Sequence, residues 1–221
     1  MTTKSVLLAL TCLFSFTIVI AQQKPKKEVT LADVWQKGTF AQKSVVGFRS
    51  LRNGRDYAAI VTDENGNKNI LKYSYATGTI IDTILRAKDL VYKGKAVTMD
   101  DYNLSNDENK VLVATQQESV YRRSTKEYNY IFDRNARTLI PLCDKTGSKE
   151  KYATFSPNGN MIAFVRDNNL FVKDLIGGGE LQVTKDGEQN KIINGGTDWV
   201  YEEEFEFARA FFWSPDGNSI A

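Results

Sequence analysis

The sequence predicts an all-β fold, a partial β-propeller of about three blades plus the start of a fourth, with a short inserted helix. Three observations predict it. A Ser, then turn-forming residues, then a short apolar strand recurs at Ser50, Ser105, Ser156 and Ser214, at intervals of 55, 51 and 58 residues. A period near 50 is the length of a four-stranded blade. Each unit then continues as apolar and polar residues alternating around Gly, Asn or Asp turns, the mark of strands joined by hairpins. Finally, 10 Tyr, 12 Phe and 3 Trp against only 4 Pro suit many half-buried strands better than a helical bundle.

In chain order, residues 1–21 carry one basic residue, Lys4, and an apolar run from Val6 to Ile20 broken only by Ser, Thr and Cys. That run is short for a membrane span and reads as a cleaved secretory signal peptide, which predicts a secreted or periplasmic protein. Residues 22–45 form an N-terminal linker and a short helix, Leu31 to Trp35, capped by Thr30. Residues 46–221 form the propeller segment. Its first unit runs from Ser50 through Tyr57-Ala58-Ala59-Ile60-Val61, and Leu71 to Tyr75 turns at Ala76-Thr77-Gly78. The second runs from Ser105 through Val111 to Ala114, and Tyr128 to Phe132 turns at Asp133-Arg134-Asn135. The third follows Ser156-Pro157-Asn158-Gly159 with Met161 to Val165, and its later turn is Gly177-Gly178-Gly179. A helix from Trp199 through about Ala210, capped by Thr197 or Asp198, precedes the fourth unit at Ser214-Pro215-Asp216-Gly217. That unit stops at Ala221 inside its strand, so the propeller is expected to be incomplete at its C-terminus.

Composition also excludes chemistry. The sequence has no His, which removes a Ser-His-Asp or Cys-His nucleophile system and the commonest metal ligand from this segment. Asp63-Glu64-Asn65-Gly66-Asn67 lacks the Gly position and closing Glu of a calcium loop and reads as a hairpin turn. No metal and no cofactor are expected. The 29 basic and 27 acidic residues leave a net charge of +2, so nothing demands a nucleic acid partner. Once residues 1–21 are removed, Cys143 stands alone and is expected to pack as a small hydrophobe.

The remaining feature is Asp198-Trp199-Val200-Tyr201-Glu202-Glu203-Glu204-Phe205. Acidic residues in a first helical turn complement the helix dipole, and that is one reading of the cluster. The other is a site. Three adjacent Glu spread too widely around a helix to be solvent decoration throughout, so at least one must face something positive. Two neighbouring carboxylates suit a cation with three N–H donors, such as a peptide's terminal ammonium.

At these residues the sequence resembles the dipeptidyl peptidase IV family of prolyl oligopeptidase-like serine peptidases. Phe212-Trp213-Ser214-Pro215-Asp216-Gly217 is similar to the family's next blade start, and Val29 to Trp35 with Gly47-Phe48-Arg49-Ser50 resembles the opening of bacterial members. The resemblance implies an eight-bladed propeller whose short helix binds the substrate's α-ammonium through Glu203 and Glu204. It also implies that Arg122 in Tyr121-Arg122-Arg123-Ser124 contacts substrate carbonyl groups, with Arg123 the neighbouring register. It further implies hydrolysis releasing X-Pro or X-Ala dipeptides, a C-terminal α/β-hydrolase domain that carries the Ser, Asp and His, and a possible homodimer. On that view this segment is inactive alone. The alternative is a non-enzymic propeller of the cell envelope that binds a peptide or protein partner.

Overall fold

A computed structural model describes residues 28–42, 44–143 and 147–221. The predicted signal peptide lies outside the described residues. The chain divides into two compact units, Met1–Ser44 and Val45–Ala221. In the first, helix α1 (Leu31–Trp35) begins with a reciprocal cap: the Asp33 amide donates to Thr30 Oγ1 at 3.2 Å and the Thr30 amide to Asp33 Oδ2 at 2.9 Å.

The second unit is a partial β-propeller. Blade one is β1 (Arg49–Ser50), β2 (Asp56–Thr62), β3 (Lys68–Ser74) and β4 (Ile80–Leu85), paired antiparallel in sequence order. A 3₁₀ turn (Ala87–Asp89) and a two-stranded hairpin, β5 (Val91–Tyr92) and β6 (Lys95–Ala96), lead into blade two. Blade two is β7 (Asp101–Leu104), β8 (Lys110–Ser119), β9 (Thr125–Asp133) and β10 (Thr138–Pro141), and blade three is β11 (Lys151–Phe155), β12 (Met161–Arg166), β13 (Asn169–Asp174) and β14 (Glu180–Gln182). The start of a fourth blade is marked by the Trp213–Ile220 bridge. The short β5–β6 hairpin was not foreseen.

Strand alternation assigns side chains to the seams between blades. In β12, Ile162 and Phe164 face blade two and pack with Leu112 and Ile131, whereas Ala163 and Val165 face the other way and pack with Phe211. All four of these β12 side chains are essentially inaccessible to water, so blade three has two buried faces. Blades one and two meet through Ala58, Ile60, Ile70, Tyr102, Val111 and Val113. Cys143 sits against the second seam, half-buried, and burial pushes its thiol well above the usual range.

The recurrent Ser has a mechanical role. Ser105, Ser156 and Ser214 each donate through Oγ to the Asp107, Asn158 or Asp216 side chain at 2.6, 2.7 and 2.5 Å. Each Oγ also accepts an amide from the returning chain, Lys110 at the start of β8, Met161 at the start of β12, or Ser219 next to the Ile220 bridge. The hydroxyl thereby closes the tight turn between the first two strands of a blade. The first repeat departs from the predicted register. Ladder position Leu51, whose amide donates to Asp56 O, is the equivalent of Ser105, whose amide donates to Lys110 O. Ser50 lies one residue early and its Oγ meets the Tyr75 hydroxyl instead, at 2.8 Å. Asn53 closes that turn, accepting from the Arg55 and Asp56 amides.

Candidate functional site

Helix α2 (Trp199–Phe205) rides on an excursion of the chain between blades three and four. Its neck is a small ladder: Ala210 N donates to Gly195 O at 3.0 Å, Thr197 N donates to Ala208 O at 2.9 Å, and Gly196 bridges Arg209. Only glycine fits at the neck, because Gly195 has φ +73° and a Cβ there would lie 2.8 Å from the Val165 side chain. Asp198 caps the helix, accepting the Tyr201 amide at 3.1 Å. The helix is shorter than the expected run to about Ala210. Glu206 adopts the left-handed conformation, φ 60° and ψ 25°, which ends it after Phe205 and turns the chain back to the neck.

The three glutamates of α2 have three different surroundings. Glu202 is 1% exposed. Its Oε1 accepts two backbone amides, Arg123 N at 2.5 Å and Ser124 N at 2.8 Å. Glu203 is half-buried and pairs with Arg122, whose Nε lies 3.3 Å from Glu203 Oε2. Glu204 is exposed and has no ion pair or hydrogen bond among the described residues. The facing segment, residues 120–124, is the connection between β8 and β9, closed on itself by Val120 N donating to Ser124 O at 2.9 Å.

The structure thus brings together Glu203 and Arg122, and puts Glu204 next to them on the helix. Of the two neighbouring arginines, Arg122 is the one whose side chain meets the predicted pair; the Arg123 side chain reaches Glu206 at 3.1 Å. Sequence reasoning gave no separate role to Glu202, Ser124 or Glu206. The signal for Glu202 was present in the rule that one of three adjacent glutamates must face something positive.

Below the 120–124 loop lies a polar cleft of about 170 Å³ lined by Gln117, Arg123, Thr125, Glu127, Asn129 and Tyr152 among others. Tyr152 belongs to β11 at a bulge between Lys151 and Thr154, with φ 59°. Burial first, and then the charge of Glu202, push its hydroxyl up to about 12, so it stays a neutral phenol beside the helix. Burial acts to raise the Glu202 carboxyl as well. Ser124, the Arg123 and Ser124 amides and the Arg123 charge outweigh it and hold Glu202 below the usual carboxylate range. Among the described residues the Ser124 hydroxyl is buried without a partner of hydrogen-bonding geometry, so the two amides are the contacts that fix this carboxylate.

Residues 105–221 match the profile of the family described as Dipeptidyl peptidase IV (DPP IV) N-terminal region. The chain belongs to this family. Among curated relatives, the dipeptidyl peptidase IV region seen here is 30% identical to human Prolyl endopeptidase FAP over 91% of this chain and 25% of that protein. It is 31% identical to the Probable dipeptidyl-aminopeptidase B of Podospora anserina, over 88% of this chain and 22% of the relative. It is likewise 31% identical to Dipeptidyl peptidase 4 of Felis catus, over 89% and 24%. The crystal structure of Porphyromonas gingivalis dipeptidyl peptidase 4 superposes with a TM-score of 0.77 at 36% identity, covering 86% of this chain and 26% of that one. The chain therefore spans about a quarter of the length of these dipeptidyl peptidase IV relatives.

Proposed function

We propose that this chain is the substrate-recognising propeller portion of an exported serine dipeptidyl peptidase, in which Glu203 and Glu204 hold the α-ammonium of a peptide. Hydrolysis of the second peptide bond, releasing X-Pro or X-Ala dipeptides, belongs to the protein's own C-terminal α/β-hydrolase domain. The observation that carries the reading is the juxtaposition of Glu203, Glu204 and Arg122: two adjacent carboxylates on a seven-residue helix, one beside a guanidinium 3.3 Å away and one free among the described residues. An ammonium offers three donors and suits that pair, and Arg122 keeps donors for a substrate carbonyl. An acylated amino terminus has neither the charge nor the donors. The site would act as a ruler, since fixing the ammonium sets which peptide bond meets the serine and turns remote binding into orientation.

The test is steady-state cleavage of Gly-Pro-p-nitroanilide by the enzyme that carries this chain. Glu203→Gln is expected to lower kcat/KM by about a hundredfold, as loss of a charge-assisted contact to a buried cation would. Unchanged turnover would reject the assignment. Export rests on Lys4 and the Val6 to Ile20 run, and amino-terminal sequencing of the mature protein is expected to begin at about Gln22.

A further inference from the structure

Glu202 is the first of the three glutamates and the most deeply buried, yet the ammonium site above uses only the other two. Among the described residues, three contacts join α2 to the 120–124 loop, two amides onto Glu202 and Arg122 onto Glu203, and a fourth, Arg123 onto Glu206, lies just past the helix end. They differ in shelter. The Arg122 side chain is 73% exposed and Glu206 71%, so both ion pairs are solvent-screened and weak by themselves. The Glu202 contacts are short, one buried and one part-buried, and made to backbone, and backbone cannot swing away as a side chain does.

We infer that Glu202 is a positioning residue for the ammonium site: its carboxylate pins the backbone of Arg123 and Ser124 against α2 and so holds Arg122 in register with Glu203. The inference rests on the proposed role of Glu203 and Glu204 and adds the residue that sets their spacing from the loop. One oxygen does both jobs, because Oε1 accepts from two successive amides. The peptide planes on either side of Arg123 are then oriented together, and the preceding residue, Arg122, is directed across the gap. Without the carboxylate, the two amides lose their partner and the loop must move to find water. Tyr152 stands alongside as a half-buried wall against the neck of the excursion, its ring 3.1 Å from where a Cβ on Gly196 would be.

The experiment measures KM and kcat of the whole enzyme on Gly-Pro-p-nitroanilide, which carries an ammonium, and hydrolysis of p-nitrophenyl acetate, which carries none. Glu202→Ala is expected to raise KM for the first about tenfold, with kcat within about threefold and acetate hydrolysis retained, since the lost term is positioning of a binding group. Glu202→Gln keeps an oxygen that can accept both amides and is expected to return KM to within about threefold of the parent. Glu202→Asp keeps the charge but falls one methylene short, and is expected to lie above the Gln variant in KM. That order decides the matter even where the Ala variant fails to fold. Wild-type KM in both the Ala and Asp variants, or an equal loss on both substrates that Gln does not rescue, overturns the inference. Failure of the underlying reading has its own signature: Glu203→Gln leaves KM unchanged, or N-acetyl-Gly-Pro-p-nitroanilide is cut as well as the free amine, and Glu202 then has no ammonium site to position.

Discussion

Two groups of buried acid lie around the 120–124 loop and the cleft that Glu127 helps to line. On one side, Glu202 is 1% exposed; on the other, Glu127 and Glu150 are 7% and 2% exposed and meet across the Glu127–Glu150 bridge that joins blades two and three. The two groups shift in opposite directions. Burial raises the carboxyls of Glu127 and Glu150, and the negative charge of Glu150 adds to the effect on Glu127. Among the described residues, Gln117 lies 3.5 Å from the Glu127 carboxylate, and Glu150 accepts from the amide and side chain of Asn129 at 3.1 and 3.3 Å. Glu202 is lowered despite burial, because Ser124, the two amides at 2.5 and 2.8 Å and the Arg123 charge favour its ionised form. Charge-favouring donors outweigh burial at Glu202, whereas desolvation dominates at the more deeply embedded Glu127 and Glu150.

The strongest way to break this comparison is to take the donors' partner away. Glu202→Leu leaves the buried Ser124 amide and the part-buried Arg123 amide unpaired and is expected to cost about 3 kcal/mol, at 1 to 3 kcal/mol for a buried orphaned group and less for the other. Hydrogen exchange at Arg123 and Ser124 is expected to lose its protection in the same variant, and retained protection would contradict the pinning role. Next in size is Gly195→Ala at the neck of the excursion. The left-handed φ and the 2.8 Å approach to Val165 are expected to make it destabilising by about 2 kcal/mol, read as a lowered Tm.

Titration sharpens the contrast. Glu202, lowered in the fold, contributes stability that is complete above the ordinary glutamate value of about 4.3 and is lost as pH falls through its native value. Glu127 and Glu150, raised in the fold, contribute stability that is complete below that ordinary value and is lost as pH rises through their native values. Glu127→Gln is therefore expected to flatten the decline of Tm on the alkaline side of about pH 4.3 and to change stability at acid pH by no more than about 1 kcal/mol. Smallest of all, Arg123→Ala removes an exposed pair with Glu206 but keeps the amide that Glu202 holds, and is expected to change stability by less than about 1 kcal/mol. A loss comparable to Glu202→Leu would show that the guanidinium, not the backbone, carries the contact.

Much of the architecture was legible because the blade turn is a chemical device. Ser105, Ser156 and Ser214 recur since their hydroxyls close the turn, and a side chain with a mechanical duty leaves a readable trace. Where another residue takes over that duty, the trace slips, as it does by one position at Leu51 with Asn53. The β5–β6 hairpin was hidden because two-residue strands around Lys93-Gly94 have no periodicity to detect. The end of α2 was hidden for a different reason. A left-handed Glu206 has no compositional signature, and the neck to which the chain returns is built from backbone. Glu203, Glu204 and Arg122 were singled out by resemblance and by charge; Glu202 escaped notice because its partners are amides of the main chain, which every sequence contains and no motif displays.

The excursion carrying α2 leaves and rejoins the chain through one short ladder at Gly196 and Arg209. Such a doorway makes the helix a graft. The chain between Thr197 and Ala208 can lengthen, shorten or exchange its sequence while the strands of blade three keep their own hydrogen bonds. A repeating scaffold of this kind can take on a new surface element by insertion at a single corner, where the 120–124 loop of a neighbouring blade meets it.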